Sequence, residues 1–315
     1  MKKLEPAGNW KVAIKAAVSI LLLLWLGLSI DWRKTADILL HTQPVWIFIA
    51  ILWIIFSMVV SVSKWKLLLN VQTIYLRWTE LWRVYWAGIF FNNFLPSSIG
   101  GDAFRIFRVA KSGQDNAGAV ASVVVERILA TTAIAIVGIT GGFWAGRLNG
   151  QALTLLLGLV IITLLLLGII FRGKLPASLS SKNGRIIDFL QGMSLHGSRM
   201  QANPGAILTV LLLSVVFQLA VVGVNYSIFR ALGITSLGWG EILFVVPITS
   251  VAAMLPVGIN GYGVREGAYV GLLASFSVPR ETAFTSSILF AVLVSFCSLY
   301  GGWTFWSYRK EESNL

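Results

Sequence analysis

Charge is scarce in this 315-residue chain. Asp, Glu, Lys and Arg make up only 12% of it, whereas 57% of the residues are hydrophobic. A soluble globular domain carries about 25% charged residues, so these polar side chains are too few to cover a water-exposed surface. Soluble enzymes and disordered chains are therefore excluded, and a helical protein that crosses a membrane several times is predicted.

Cysteine and histidine are almost absent. Cys297 is the single cysteine, and the two histidines are His41 and His196. One cysteine forms no intrachain disulfide, and so few soft donors argue against a zinc site. We therefore expect no disulfide, no metal and no cofactor. The G-x-x-x-x-G-K-[ST] motif is also missing, so we expect no direct use of ATP.

The basic residues outnumber the acidic ones, 25 against 13, for a net charge of +12. They lie in short loops between apolar runs and do not form one basic face with interleaved aromatic residues, so we expect no nucleic-acid partner. A membrane-spanning helix needs about 20 mostly apolar residues. Six segments meet that requirement: Val12–Ile30, Val45–Ser63, Ala117–Trp144, Ala152–Phe171, Ala206–Phe229 and Ala283–Trp306.

Two other apolar segments, Val84–Leu95 and Ile242–Leu255, are short, and each stops at Leu-Pro before glycines and a charged residue. Short interrupted segments of this kind are typical of re-entrant hairpins. With two hairpins and six spans, most Lys and Arg residues fall on the side of the N-terminus. The positive-inside rule then predicts a bacterial-type cytoplasmic (inner) membrane protein with both termini in the cytoplasm. The mixed segment Lys64–Arg83 is interpreted as an interfacial helix.

The two hairpin segments also resemble each other. When Pro96 is aligned with Pro256, both read L-P-x-x-I-x-G-x-x-x-R, and the flanking spans align as well. We therefore predict one integral membrane domain over residues 1–315. It is all-α, with about six transmembrane helices and two re-entrant hairpins. The inverted repeat units cover residues 45–144 and 205–306, and a cytoplasmic polar loop covers residues 173–203.

A hairpin of this kind favours an anion. Proline ends the incoming half-helix, and the returning half-helix begins with unpaired N–H groups and a positive dipole end. We expect the phosphate of a lipid head group to bind there. The candidate residues of the first hairpin and the helix after it are Asn92, Asn93, Pro96, Gly100, Gly101, Asp102, Arg105, Glu126 and Arg127. Those of the second hairpin are Pro256, Asn260, Gly261, Tyr262, Gly263, Arg265 and Glu266.

Purely structural roles compete with this interpretation. Gly263, Gly267 and Gly271 recur at every fourth position, which equally suits a stripe for close helix packing. Asp102 and Arg105 are three residues apart and suit a structural ion pair on one helix face. Glu126 equally suits a structural ion pair with an arginine of a neighbouring helix.

The chain resembles a known family at these residues. The segment Asn92–Arg105 (N-N-F-L-P-S-S-I-G-G-D-A-F-R), followed by V-V-V-E-R at Val123–Arg127, is similar to the signature of the lysylphosphatidylglycerol synthase transmembrane region. That family is also called flippase-like or UPF0104. The run Lys64-Trp65-Lys66-Leu67-Leu68 and the segment Leu255–Glu266 match its pattern too, so the resemblance covers nearly the whole chain.

The resemblance implies a membrane-embedded lipid translocator or a partner of a lipid-modifying enzyme. In the bifunctional members a separate soluble domain makes the aminoacylated lipid, and this sequence ends at Leu315 without such a domain. We therefore expect no enzymatic activity and a flippase-like protein whose partner is an anionic membrane phospholipid. The alternative is a non-transporting partner of a lipid- or glycolipid-synthesis enzyme. A membrane glycosyltransferase is expected less, because Asp31 and Asp37 are the only paired carboxylates of the first outer loop.

Overall fold

A computed structural model describes residues 9–94, 100–112, 115–172, 196–255, 257 and 260–313. These residues form helices and turns and contain no strand, so the predicted all-α class is confirmed. The helices are α1 (Asn9–Leu28), α2 (Trp32–Leu40), α3 (Pro44–Val71), α4 (Trp78–Phe94), α5 (Gly100–Lys111), α6 (Asn116–Trp144), α7 (Gly150–Arg172), α8 (Pro204–Ala231), α9 (Trp239–Met254), α10 (Val264–Ala274) and α11 (Arg280–Ser313).

Among the described residues, five helices are long and apolar enough to cross a membrane, namely α3, α6, α7, α8 and α11. They coincide with five of the six predicted spans, so the polytopic class is confirmed. The sixth predicted span, Val12–Ile30, falls on α1, whose apolar part Ala17–Leu28 is shorter. Of the predicted polar loop 173–203, residues 173–195 lie outside the described residues, and residues 196–201 are helical.

Local sequence signals explain where several helices begin. Proline occupies the first turn of both α3 and α8, where its missing N–H group is not needed. Asp115 caps α6 by accepting hydrogen bonds from two amides of the first turn. Asp31 caps α2 in the same way, and Asp37 lies beside His41 at 3.4 Å. The paired carboxylates of this loop therefore have local structural roles.

The interpretation of Lys64–Arg83 as an interfacial helix is wrong. Helix α3 continues through Lys64 to Val71, and α4 begins only at Trp78. The side chains of Trp65 and Leu68 are fully buried, because this part of α3 still faces the interior of the bundle. The prediction failed because Lys64 and Lys66, in the last turns of α3, make the segment polar on average although one of its faces is apolar and buried.

The pair α4 and α5 forms the first hairpin. Leu81 of α4 and Val109 of α5 belong to one apolar cluster with Trp65 of α3 and Ala119 of α6. Helix α4 therefore begins, and α5 ends, at the end of the bundle where α3 ends and α6 begins. The chain enters and leaves on the same side, which is the geometry of a re-entrant hairpin.

The pair α9 and α10 forms the second hairpin in the same manner. Val245 of α9 and Leu273 of α10 share a cluster with Phe229 near the end of α8 and Ala283 near the start of α11. This hairpin also returns to the side from which it enters.

The two hairpins enter from opposite ends of the bundle, because α3 and α8 are antiparallel. The N–H of Gln43, just before α3, donates to the carbonyl of Ala231 at the end of α8, at 3.1 Å. At the other end of the pair, Leu68 packs with Val210. Since α3 and α8 open the two aligned units, the units run in opposite directions, which is the arrangement of an inverted repeat.

Each unit ends with a helix that packs on the other unit's incoming half-helix. The alignment of Pro96 with Pro256 also superposes Gly141 of α6 on Gly301 of α11. A Cβ at Gly141 would overlap the backbone of Leu243 in α9, and one at Gly301 would overlap that of Trp86 in α4. Glycine is thus required at both crossings for the backbones to approach. Sequence analysis missed this second match between the units.

Candidate functional site

The two hairpins meet at Asn92 and Asn260. Asn260 lies between α9 and α10 with a left-handed φ of 50°, and its Nδ2 donates to the carbonyl of Asn92 at 2.7 Å. The Asn92 side-chain oxygen accepts from the N–H of Gly101 at 2.8 Å. Asn92 therefore links both helices of the first hairpin to the second hairpin, and this junction lies between two half-helices of opposite direction.

Arg105 lies next to this junction and is almost completely buried, with 3% of its side chain exposed. Its Nη2 contacts Glu126 Oε2 of α6 at 2.5 Å, and its Nη1 lies 3.4 Å from Asp102 Oδ1. The guanidinium stacks between the rings of Trp65 and Tyr85, at 4.2 Å from each. Helices α3, α4 and α6 thus hold one cation of α5, and aromatic faces add to its stabilisation.

The contacts of Arg105 extend into a network. Tyr85 Oη donates to Glu126 Oε1 at 3.1 Å. Arg127 donates two hydrogen bonds to Asp102, at 2.9 and 2.8 Å, and 54% of its side chain is exposed. The network therefore runs from the buried tyrosine to an exposed arginine, and bidentate pairing fixes its outer end.

Lys64 adds a third cation to this region, and sequence analysis did not place it in the site. It is 2% exposed, its Nζ lies 4.6 Å from the centre of the Phe217 ring, and Glu126 acts on it electrostatically. With Arg105 and Arg127 it makes three cations against the two carboxylates Asp102 and Glu126, so the cluster has an excess of positive charge. The sequence feature that could have indicated the burial of Lys64 is its position in a long apolar run.

The second hairpin neutralises its arginine differently. Arg265 donates to Oε1 of its neighbour Glu266 at 3.1 and 2.7 Å. Glu266 Oε2 accepts from the N–H of Gly263 at 2.6 Å, which closes the first turn of α10. Ser287 of α11 donates to Glu266 at a longer 3.3 Å. The ion pair is therefore contained within one helix.

The family model of the lysylphosphatidylglycerol synthase transmembrane region matches residues 12–301. The chain belongs to this family. It is also similar to a UPF0104 membrane protein of Pyrococcus horikoshii, with 24% identity over 88% of this chain and 90% of that protein. A UPF0104 membrane protein of Methanocaldococcus jannaschii is 32% identical over 38% of this chain and 37% of its own length. The resemblance stated from the sequence is thus confirmed.

The glycines of this family member have separate roles. Gly261 and Gly263 adopt φ values of 73° and 85°, which only glycine adopts without strain. Gly263 also lies against Leu22 of α1, whereas Gly267 and Gly271 face open space. The interpretation of these three glycines as one packing stripe is therefore wrong for the last two.

The remaining predicted residues are placed as follows. Gly100 begins α5, and Gly101 lies so close to the carbonyl of Gly88 that a Cβ would overlap it. Asn93 has a buried Nδ2 without an acceptor among the described residues. The ring of Tyr262 lies 5.2 Å from the guanidinium carbon of Arg265. Pro96 and Pro256 lie outside the described residues.

Proposed function

We propose that this chain binds the anionic head group of a phospholipid where the hairpins meet, and moves the lipid between the two leaflets of the membrane. The observation that carries the proposal is the junction itself. Two oppositely directed hairpins are joined through Asn260 and Asn92. Each hairpin carries a largely buried arginine, Arg105 or Arg265, on its returning helix.

The energetic cost of these charges supports a function. An arginine or aspartate at the centre of a membrane costs about 2.5–3.5 kcal/mol on insertion scales. Replacing a buried ion pair with apolar side chains of similar volume often leaves stability unchanged or raises it. Retaining three cations and two carboxylates around the first hairpin is therefore better explained by a ligand than by packing. The excess positive charge selects an anionic ligand over a neutral one.

In the proposed mechanism, the carboxylates of Glu126 and Glu266 occupy the position that the lipid phosphate takes when it binds. Each carboxylate occupies its arginine while no lipid is bound, so that neither cation is left unpaired in a low dielectric. An arriving phosphate competes for the same guanidinium donors, because the planar guanidinium can donate two parallel hydrogen bonds to two phosphate oxygens. The acyl chains stay in the bilayer, so no large aqueous pore is needed.

The proposed orientation follows from the distribution of charge. Both termini lie in the cytoplasm, the first hairpin enters from the cytoplasmic face of the inner membrane, and the second enters from the outer face. Lipid then passes from one hairpin to the other by alternating access around the junction.

Reconstitution into liposomes tests the proposal. Fluorescent phosphatidylglycerol and phosphatidylcholine are compared, and leaflet exchange is followed by quenching with a membrane-impermeant reductant. The variants are Arg105→Gln/Glu126→Gln and Arg265→Gln/Glu266→Gln, each of which removes an arginine together with the carboxylate that it is paired with. Arg33→Gln, at an exposed arginine of α2, is the control. Size-exclusion profiles show which variants are folded.

We expect wild type and the Arg33→Gln control to exchange phosphatidylglycerol faster than phosphatidylcholine, and both double variants to lose that preference. Equal rates for the two lipids, or an unchanged preference in both folded double variants, would contradict the proposal. Exchange of neither lipid would favour the role of a non-transporting partner of a lipid-synthesis enzyme.

A further inference from the structure

A cavity of about 440 Å³ lies away from the hairpin junction, between the connection of α6 to α7 and the outer side of the second hairpin. Its polar lining residues are Arg147, Asn149, Gln151 and Ser275, and its apolar ones include Leu155, Phe244, Ile248, Leu272 and Phe276. A volume of this size suits a small ligand or part of a larger one. None of the charged residues of the two hairpins lines it.

The cavity contains one charged side chain, and none of the described residues neutralises it. Arg147 is exposed, and its guanidinium lies 5.0 Å from the centre of the Phe276 ring. Within the described part of the chain it has no carboxylate partner and makes no hydrogen bond through its side chain. Its donors are therefore available to an anion, and the phenyl ring restricts where they point.

Neighbouring backbone N–H groups also favour a negatively charged ligand. Helix α7 begins here, and the N–H groups of Gly150 and Gln151 in its first turn have no acceptor among the described residues. Such groups, together with the positive end of the helix dipole, favour a phosphate beside Arg147.

The apolar part of the cavity opens onto a lipid-facing helix side. Leu155 lines the cavity, and the exposed residues Ile162, Leu166 and Ile169 follow it on the same side of α7 at helical spacing. A hydrocarbon chain that leaves the cavity can lie along this row. A soluble anion such as inorganic phosphate would make no use of it, so the lining favours a lipid.

Gly271 gives the cavity its depth. It lies within α10, is exposed, and a Cβ there would meet no atom within 4 Å. A glycine inside a helix costs roughly 0.5–1 kcal/mol relative to alanine, and no neighbouring helix requires it here. The open space is explained if another molecule approaches the backbone of α10.

We propose that this cavity is a second phospholipid site, with the phosphate on Arg147, the polar head-group atoms on Asn149, Gln151 and Ser275, and one acyl chain along α7. The proposal goes beyond lipid movement, because the site binds lipid whether or not the junction transports it. Its position against α9 and α10 places a bound lipid on the outer side of the second hairpin.

Photo-crosslinking in nanodiscs tests this site. The full chain is embedded in phosphatidylcholine that contains a trace of phosphatidylglycerol with a photoactivatable head group, and labelled peptides are mapped by mass spectrometry. Arg147→Gln removes the anchor, and Gly271→Leu fills the cavity. Their controls are Arg33→Gln, another exposed arginine, and Gly168→Leu, a glycine of α7 that faces open space on a different side of the helix from the proposed acyl chain.

We expect labelling of the peptides around residues 147–155 and 271–276 in wild type and in both controls. Labelling should fall about tenfold in Arg147→Gln, as expected for one lost charge-assisted hydrogen bond, and by a similar factor in Gly271→Leu. Unchanged labelling in both variants would overturn the proposal. So would an equal loss in the controls, or displacement of the label by inorganic phosphate alone. Because the readout is binding, failure of lipid exchange leaves this result interpretable.

Discussion

The two hairpins carry an arginine at the same position of the repeat, but each arginine is neutralised in a different way. Arg105 is paired with Glu126 on another helix, and two aromatic rings of further helices enclose it. Arg265 is paired with the adjacent Glu266 on its own helix. One ion pair joins helices, whereas the other belongs to a single helix.

This difference determines what each hairpin gives up when it moves. The first hairpin cannot move away from α6 without separating Arg105 from Glu126, which would leave Arg105 with only its longer contact with Asp102 and Glu126 without its arginine. The second hairpin takes its ion pair with it. It gives up neutral hydrogen bonds instead, such as the one that Tyr269 donates to Asn225 of α8. We therefore expect the first hairpin to be the fixed element and the second to be the moving one.

The largest predicted effect on stability comes from replacing the carboxylate of each ion pair. Glu126→Gln should lower the free energy of unfolding by about 3–5 kcal/mol, because the buried Arg105 then keeps only its longer contact with Asp102. Glu266→Gln should cost less, about 1–2 kcal/mol, since glutamine still closes the first turn of α10. Unfolding in detergent, followed by tryptophan fluorescence, measures both. Equal losses, or a larger loss for Glu266→Gln, would show that the two ion pairs are equivalent.

The second prediction concerns the glycines of the two hairpins. Gly101→Ala should cost about 1–3 kcal/mol, because its Cβ overlaps the carbonyl of Gly88 and forces α4 and α5 apart. Gly261→Ala strains a residue at φ 73° and should cost about 1–2 kcal/mol. Gly158→Ala faces open space and serves as the control, with unchanged or slightly higher stability. If Gly101→Ala is as stable as that control, α4 and α5 do not pack as described.

Sequence alone predicted the outline of this molecule. Long apolar runs predicted the spans, and Leu-Pro breaks predicted both hairpins, because hydrocarbon thickness and the lack of a proline N–H act on local sequence. Pairing of Glu126 with an arginine of a neighbouring helix was one of the alternatives, but that this arginine is Arg105 was not predicted. Glu126 was a candidate, but nothing local to α6 shows which helix it faces. The burial of Lys64 was missed for the same reason, since a helix buries one side according to its neighbours.

The third prediction tests the contact between the hairpins. Asn260→Ala removes the hydrogen bond to the carbonyl of Asn92 and should cost about 1 kcal/mol. Asn260→Gly loses the same bond but relaxes the left-handed backbone, so it should be the more stable of the two variants. Hydrogen exchange at the end of α4 and the start of α5 should accelerate in both. Unchanged exchange in both variants would mean that the hairpins are not coupled through this bond.

The smallest predicted effect on stability concerns Ser287, which links the ion pair of the second hairpin to α11. This serine donates a 3.3 Å hydrogen bond from α11 to Glu266, and Ser287→Ala should cost only about 0.5 kcal/mol because that bond is long. Ser286→Ala is the control, since the Ser286 hydroxyl bonds within its own helix. Ser287→Ala should still accelerate hydrogen exchange in α10 relative to the control. A loss as large as that of Glu126→Gln would mean that the ion pair of the second hairpin depends on α11. The second hairpin would then be as fixed as the first.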